Sequence, residues 1–200
     1  KTGRYKVLMT RDKDVFVPLD KRVDFAEGHK ANLFIAVHAD YAGGNSKARG
    51  ATIYSLRESV ANGLQRSAKG EVSSAVLTKD EVESMKQASL GTDISTVKSI
   101  LADLAGREVD VTQERTSVFT RSVIEYMGTS TEMRAKPDQQ AAFRVLKTAQ
   151  FPSVLIELAY VTNKKDAALL SSDTWRDKVS DSIMTAVENY FGNQIARLPM

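Results

Sequence analysis

Three nearly unbroken apolar runs constrain this chain most: Leu33 to His38 (LFIAVH), Ala51 to Leu56 (ATIYSL) and Val154 to Leu158 (VLIEL). A strand with one wet face alternates apolar and polar residues, whereas a strand covered on both faces reads as a continuous apolar run. Most of these segments therefore predict central strands, with helices above and below the sheet. Tyr5 to Thr10 (YKVLMT) reads as a further strand of the same type. Because it starts almost at the first residue and needs neighbours, it predicts another strand upstream. Helical spacing is plainest at Trp175, Val179, Ile183, Val187 and Tyr190, where apolar residues recur every three or four positions and Gly192 is placed to stop the helix. Further helices are expected over Val60 to Ala68, Ile94 to Leu104 and Phe119 to Met127. The expected fold is one α/β domain over residues 1–200, an open, mostly parallel or mixed sheet with helices on both faces. Almost a hundred residues separate the ATIYSL and VLIEL runs, far more than one crossover needs, and the polar stretch from about 70 to 115 reads as an inserted helical segment.

Composition narrows the function. With 28 Lys and Arg against 25 Asp and Glu, the net charge is +3 and spread along the chain, which does not fit the concentrated basic stripe of a nucleic-acid binder. The mild excess suits contact with an anionic polymer, and it equally suits ordinary solubility. There are no cysteines, which removes disulfides, thiolate metal sites and a cysteine nucleophile. No stretch approaches the ~18 apolar residues of a membrane span, and the start lacks a signal-peptide pattern, so a mature, soluble fragment is expected.

Two residues stand out chemically. His38 ends an apolar strand and is followed by Asp40, which puts an imidazole at the carboxyl edge of a sheet, where open α/β folds place their sites. It is a candidate metal ligand, or else a hydrogen-bonded histidine at a strand end. Glu157 interrupts the run Val154-Leu155-Ile156-Glu157-Leu158. A carboxylate there is costly unless paired, bonded or neutralised; the raised pKa suits a general base, and a buried ion pair is the alternative. His29, in the polar stretch Glu27-Gly28-His29-Lys30, reads as a solvated surface residue. Neither a Gly-rich phosphate loop nor a Gly-x-Ser-x-Gly elbow is present.

Four groups of segments, in order, carry a resemblance: YKVLMTRD (residues 5–12) with LDKR (19–22), ANLFIAVHAD (31–40), GATIYSL (50–56), and FRVL (143–146) with PSVLIELAYVTN (152–163). Together they resemble the zinc-dependent N-acetylmuramoyl-L-alanine amidases of type 3, which cut the bond between N-acetylmuramic acid and L-alanine in peptidoglycan. The resemblance covers essentially the whole chain. It implies Zn2+ as cofactor, polarising the scissile carbonyl and acidifying a bound water, with His38 as the second zinc histidine and Glu157 as the catalytic glutamate. The family's first zinc histidine and its zinc glutamate precede the YKVLMTRD strand and have no counterpart here. The alternative is a non-catalytic peptidoglycan-binding module derived from the same fold.

The insertion is similar to that of the division-associated branch, whose members carry a helix that blocks the zinc until a partner displaces it. In Leu77 to Met85 (LTKDEVESM), Thr78 and Glu81 form a capping box that opens a helix and occupies Glu81. Glu83, ~200° around the helix from Glu81, is left free. The resemblance therefore implies Glu83 as an inhibitory zinc ligand, with Val82 and Met85 packing the helix on the domain. It further implies a role in cell-wall remodelling and daughter-cell separation, a periplasmic location, peptidoglycan as the partner polymer, and an activator protein of the division machinery.

Overall fold

The computed structural model describes residues 3–45, 47–74 and 94–195. Its elements are α1 (Leu19–Gly28), β1 (Phe34–Asp40), β2 (Ala51–Leu56), α2 (Glu58–Ser74), α3 (Ile94–Met127), β3 (Met133–Ala141), a 3-10 turn (Arg144–Leu146), β4 (Ser153–Tyr160), α4 (Lys164–Leu170) and α5 (Asp173–Ile195). The strands form one mixed sheet in the order β1-β4-β2-β3. β1 runs parallel to β4 and β2 parallel to β3, while the central pair β2 and β4 is antiparallel. An open mixed α/β sheet was the expectation, and this is its topology.

Two apolar clusters pin the sheet. In the larger, Ala51, Ile53, Val154 and Ile156 meet Phe119, Val123 and Met127 of α3 and Trp175, Val179 and Tyr190 of α5. In the smaller, Leu56 and Leu155 meet Ala61 of α2 and Val145 and Leu146 of the 3-10 turn. Fully burying a side chain such as Ile156 or Phe119 contributes roughly 1.5–3 kcal/mol, so these clusters fix β4 and β2 at the centre of the sheet.

Several elements depart from the sequence reading. β1 is an edge strand with Val37 56% exposed, so its apolar run is not buried on both faces. Tyr5 to Thr10 forms no strand; Val7 is 81% and Met9 68% exposed, and no described strand offers that segment a ladder. The two helices expected within residues 94 to 127 are one, α3. Its polar middle is continuous because Val109, Thr112 and Thr116 carry the buried stripe, with the Thr116 hydroxyl donating to the Thr112 carbonyl and that of Thr112 to the Ala149 carbonyl, each at 2.8 Å. Gly192 does not end α5, which runs on to Ile195; its φ is not positive, so the left-handed cap that favours glycine never forms. β3 (MRAKPDQQA) was not anticipated, since Pro137 and the exposed charges mark an edge rather than a core strand.

Of residues 70–115, expected to be an inserted helical segment, 70–74 end α2 and 94–115 lie in α3, and these two helices pack on each other. The segment carrying Thr78, Glu81 and Glu83 lies outside the described residues.

Candidate active site

Sheet register brings the two chemically anomalous residues together. His38 on β1 is the parallel partner of Glu157 on β4, and Thr52 on β2 is the antiparallel partner of the same Glu157. Residues opposite one another in a ladder share a face, so three side chains from three strands line up across the sheet. His38 Nδ1 lies 3.7 Å from Glu157 Oε1, longer than a hydrogen bond. The imidazole is 41% exposed and the carboxyl 10%, so one member of the pair is open to solvent while the other is sunk into the sheet. The second carboxyl oxygen of Glu157, Oε2, is buried with no hydrogen-bond partner, and so is the Thr52 hydroxyl.

Electrostatics follow from that burial. Desolvation, then the nearby Asp40 carboxylate, pushes the Glu157 pKa up to about 7. The His38 pKa is lowered, first by desolvation and then by the Arg22 and Arg11 guanidiniums, against an opposing pull from Asp40. Near neutral pH the pair is therefore a neutral imidazole facing a carboxyl group close to its own midpoint, not an ion pair. Such a carboxyl group exchanges a proton at little cost, which is the property asked of a general acid–base.

Around this pair stand residues that sequence reasoning did not single out. Arg11 donates to the Val15 carbonyl and Arg22 to the Val17 carbonyl, at 2.8 and 3.0 Å, which anchors both guanidiniums beside His38. Tyr54 and Tyr160 both have raised pKa values, from burial first; Asp40 raises both further while Arg134 lowers both. Arg134 Nη1 donates to the Tyr160 hydroxyl at 2.9 Å. Behind the site, buried Asp166 accepts from the backbone amides of Gly50 and Tyr160 at 2.9 and 3.0 Å, tying the start of β2 to the end of β4. Arg11 and Arg22 lie within the quoted YKVLMTRD and LDKR segments, and a search for cations near His38 would have found them there. Tyr160 likewise lies within PSVLIELAYVTN, whereas Arg134 falls in none of these segments.

His29 is elsewhere: it caps α1, exposed, with its ring 4.3 Å from that of Phe25 and Nδ1 2.8 Å from the Phe25 carbonyl. Among the described residues no group of three or more His, Asp or Glu side chains is placed to hold a metal ion. A tetrahedral zinc site with an open position takes three protein ligands, so His38 fits as one donor while the described residues alone do not complete the set.

The fold and this site define a class: an open α/β domain with a histidine and a buried carboxyl group set side by side across parallel strands, near their carboxyl ends. Within that class, the chain belongs to the N-acetylmuramoyl-L-alanine amidase family, whose profile matches residues 1–189. It is 28% identical over 193 residues to the N-acetylmuramoyl-L-alanine amidase AmiC of Escherichia coli O6:H1, covering 96% of this chain and 44% of that one. It is 30% identical over 184 residues to AmiA of Escherichia coli K12, covering 92% of this chain and 60% of that one. The chain thus spans about half the length of these curated relatives. In fold it is similar to the catalytic domain of the amidase CwlV from Bacillus (Paenibacillus) polymyxa var. colistinus, with a TM-score of 0.57, 21% identity, and coverage of 94% of this chain and 73% of that one. AmiC2 of Nostoc punctiforme gives a TM-score of 0.56 at 19% identity, covering 92% of this chain and 72% of that one.

Proposed function

We propose that this chain is catalytic in peptidoglycan cleavage, hydrolysing the amide between N-acetylmuramic acid and the L-alanine of the stem peptide. The observation that carries the reading is Glu157, a strand-buried carboxyl group with one free oxygen, a neutral imidazole alongside and a pKa of about 7. In the reaction Glu157 takes a proton from the attacking water as its oxygen bonds to the carbonyl carbon. The same proton then passes to the departing nitrogen as the C–N bond breaks. His38 stays neutral throughout, and Asp40 helps keep the Glu157 proton within reach of neutral pH.

Zn2+ is the cofactor this reading calls for, with His38 among its ligands; family membership and an imidazole held neutral support it. We assign the finer roles on the same basis: cell-wall remodelling and daughter-cell separation, a periplasmic site of action, and a latch in which Glu83 holds the enzyme off until an activator protein engages the insertion. The rival is a peptidoglycan-binding module without catalysis, favoured by the incomplete ligand set among the described residues.

The test uses a chain spanning the length of the curated relatives. Glu157→Gln abolishes release of stem peptides from purified peptidoglycan while zinc content and melting temperature are retained; more than a tenth of the activity remaining removes Glu157 from the mechanism. A wild-type chain with neither zinc nor hydrolysis, but with retention on peptidoglycan, establishes the module instead. Glu83→Ala raises basal hydrolysis without activator, and an unchanged rate rules out the latch.

A further inference from the structure

The loop leading into β2 and the start of β3 line a shallow, open hollow of about 380 Å³, among whose lining residues Lys47, Arg49 and Arg134 outnumber the single acid, Glu132. Glu132 is already committed, because it pairs with Arg49. Arg49 is held on its other side by buried Asp166, 3.9 Å away, and belongs to the scaffold. Lys47 and Arg134 are both exposed, and neither has an acidic partner among the described residues. Two positive charges therefore line the hollow without an acidic partner among the described residues.

Arg134 is also fixed in place. Its guanidinium donates to the Tyr160 hydroxyl at 2.9 Å and lies 5.7 Å from the centre of that ring, so an incoming anion meets a positioned cation rather than a wandering one. Tyr160 lies three residues beyond Glu157 on β4, about 10 Å along a strand. Arg134 and Glu157 also both act on Tyr54, so the two charges share that ring as a neighbour.

We propose that this hollow is the stem-peptide subsite of the enzyme, in which Lys47 and Arg134 bind the free carboxylate of the residue after L-alanine. The proposal rests on the amidase reading. A glutamate linked through its side-chain carboxyl leaves its own α-carboxylate free. That group lies two to three residue lengths from the scissile amide, about 7–10 Å in an extended chain, which is comparable with the run of β4 from Glu157 to Tyr160, the residue that holds Arg134. A carboxylate between two unpaired cations gains what its uncharged amide cannot, so the subsite discriminates by charge.

The experiment compares two muramoyl peptides that differ only in that group, carboxylate against carboxamide. The acid is preferred in kcat/KM by about tenfold at low salt, about 1.4 kcal/mol, and the preference shrinks as salt is raised. Lys47→Gln and Arg134→Gln each reduce the ratio, and the double variant brings it to about one. Lys178→Gln, at an exposed position of α5, keeps it. In parallel, calorimetry measures binding of the released stem peptide in both forms, with the same ratio expected in the wild type and lost in the double variant. Equal handling of the two peptides by the wild type, or an unchanged ratio in the double variant, overturns the subsite. If the wild type cleaves neither muramoyl peptide, the amidase reading fails, and the binding ratios alone then decide whether the hollow selects carboxylates.

Discussion

Replacing Glu157 by glutamine separates the stability cost of this carboxyl group from its chemistry. The side chain is buried, its Oε2 has no donor, and its pKa stands at about 7 against 4.5 for a free glutamate. A folded pKa above the unfolded one means that the native state binds the proton more tightly. The stability this confers is fully present below about pH 4.5 and is lost as the pH rises through about 7. Moving the pKa from 4.5 to about 7, at about 1.36 kcal/mol for each tenfold change in proton affinity, corresponds to roughly 3 kcal/mol, the amount by which ionised Glu157 weakens the fold at pH 8 relative to pH 4. Glutamine keeps the shape and cannot ionise, so this pH-dependent penalty disappears. Urea unfolding of the chain at several pH values is the assay: the stability of Glu157→Gln relative to wild type grows by roughly 3 kcal/mol between about pH 4 and pH 8, most of it between pH 5 and 7. A difference that does not change with pH refutes the reasoning, because Glu157 then ionises as if it were in water.

The supports behind the site give further tests, all by chemical unfolding. Asp166→Ala leaves the buried amides of Gly50 and Tyr160 without their acceptor and costs on the order of 2–4 kcal/mol; a loss below about 1 kcal/mol shows that water takes its place. Gly50→Ala costs about 2 kcal/mol or more, since φ is +88° and a Cβ there meets Arg134 N and the Met133 carbonyl carbon at 3.1 Å; an unchanged midpoint contradicts the close approach. Thr52→Val removes a buried hydroxyl that has no partner, and leaves stability unchanged or higher by up to about 1 kcal/mol; a clear loss means the hydroxyl is bonded in solution.

What the sequence discloses depends on where the determining force is local. β4 and β2 are readable because burial on both faces leaves an apolar run, and α5 because its contacts recur at helical spacing. β3 is not, since an edge strand with Pro137 and three exposed charged residues has no pattern to distinguish it from a loop. The same limit explains Tyr5 to Thr10, whose strand-like composition yields no strand where no described neighbour offers a ladder. Strand propensity marks a surface fit to be paired, and pairing is not a property of the segment alone.

The site divides along the same line, and the division is informative about Glu157. It is conspicuous in the sequence because Val154, Leu155 and Ile156 precede it, and these are the residues that sink β4 into the core. Desolvation by that setting is also the largest cause of its raised pKa. The feature that betrays the residue and the feature that brings its pKa to about 7 are thus one physical fact. Arg134 and Lys47 have no such signature, because an exposed cation looks the same in sequence whether it faces solvent or a substrate. Their significance arises only when β3, β2 and β4 are brought side by side, with Arg134 bonded to Tyr160 three residues along the strand from Glu157. The proposed base is therefore encoded locally, by the energetic cost of its position, and the proposed subsite is encoded by topology.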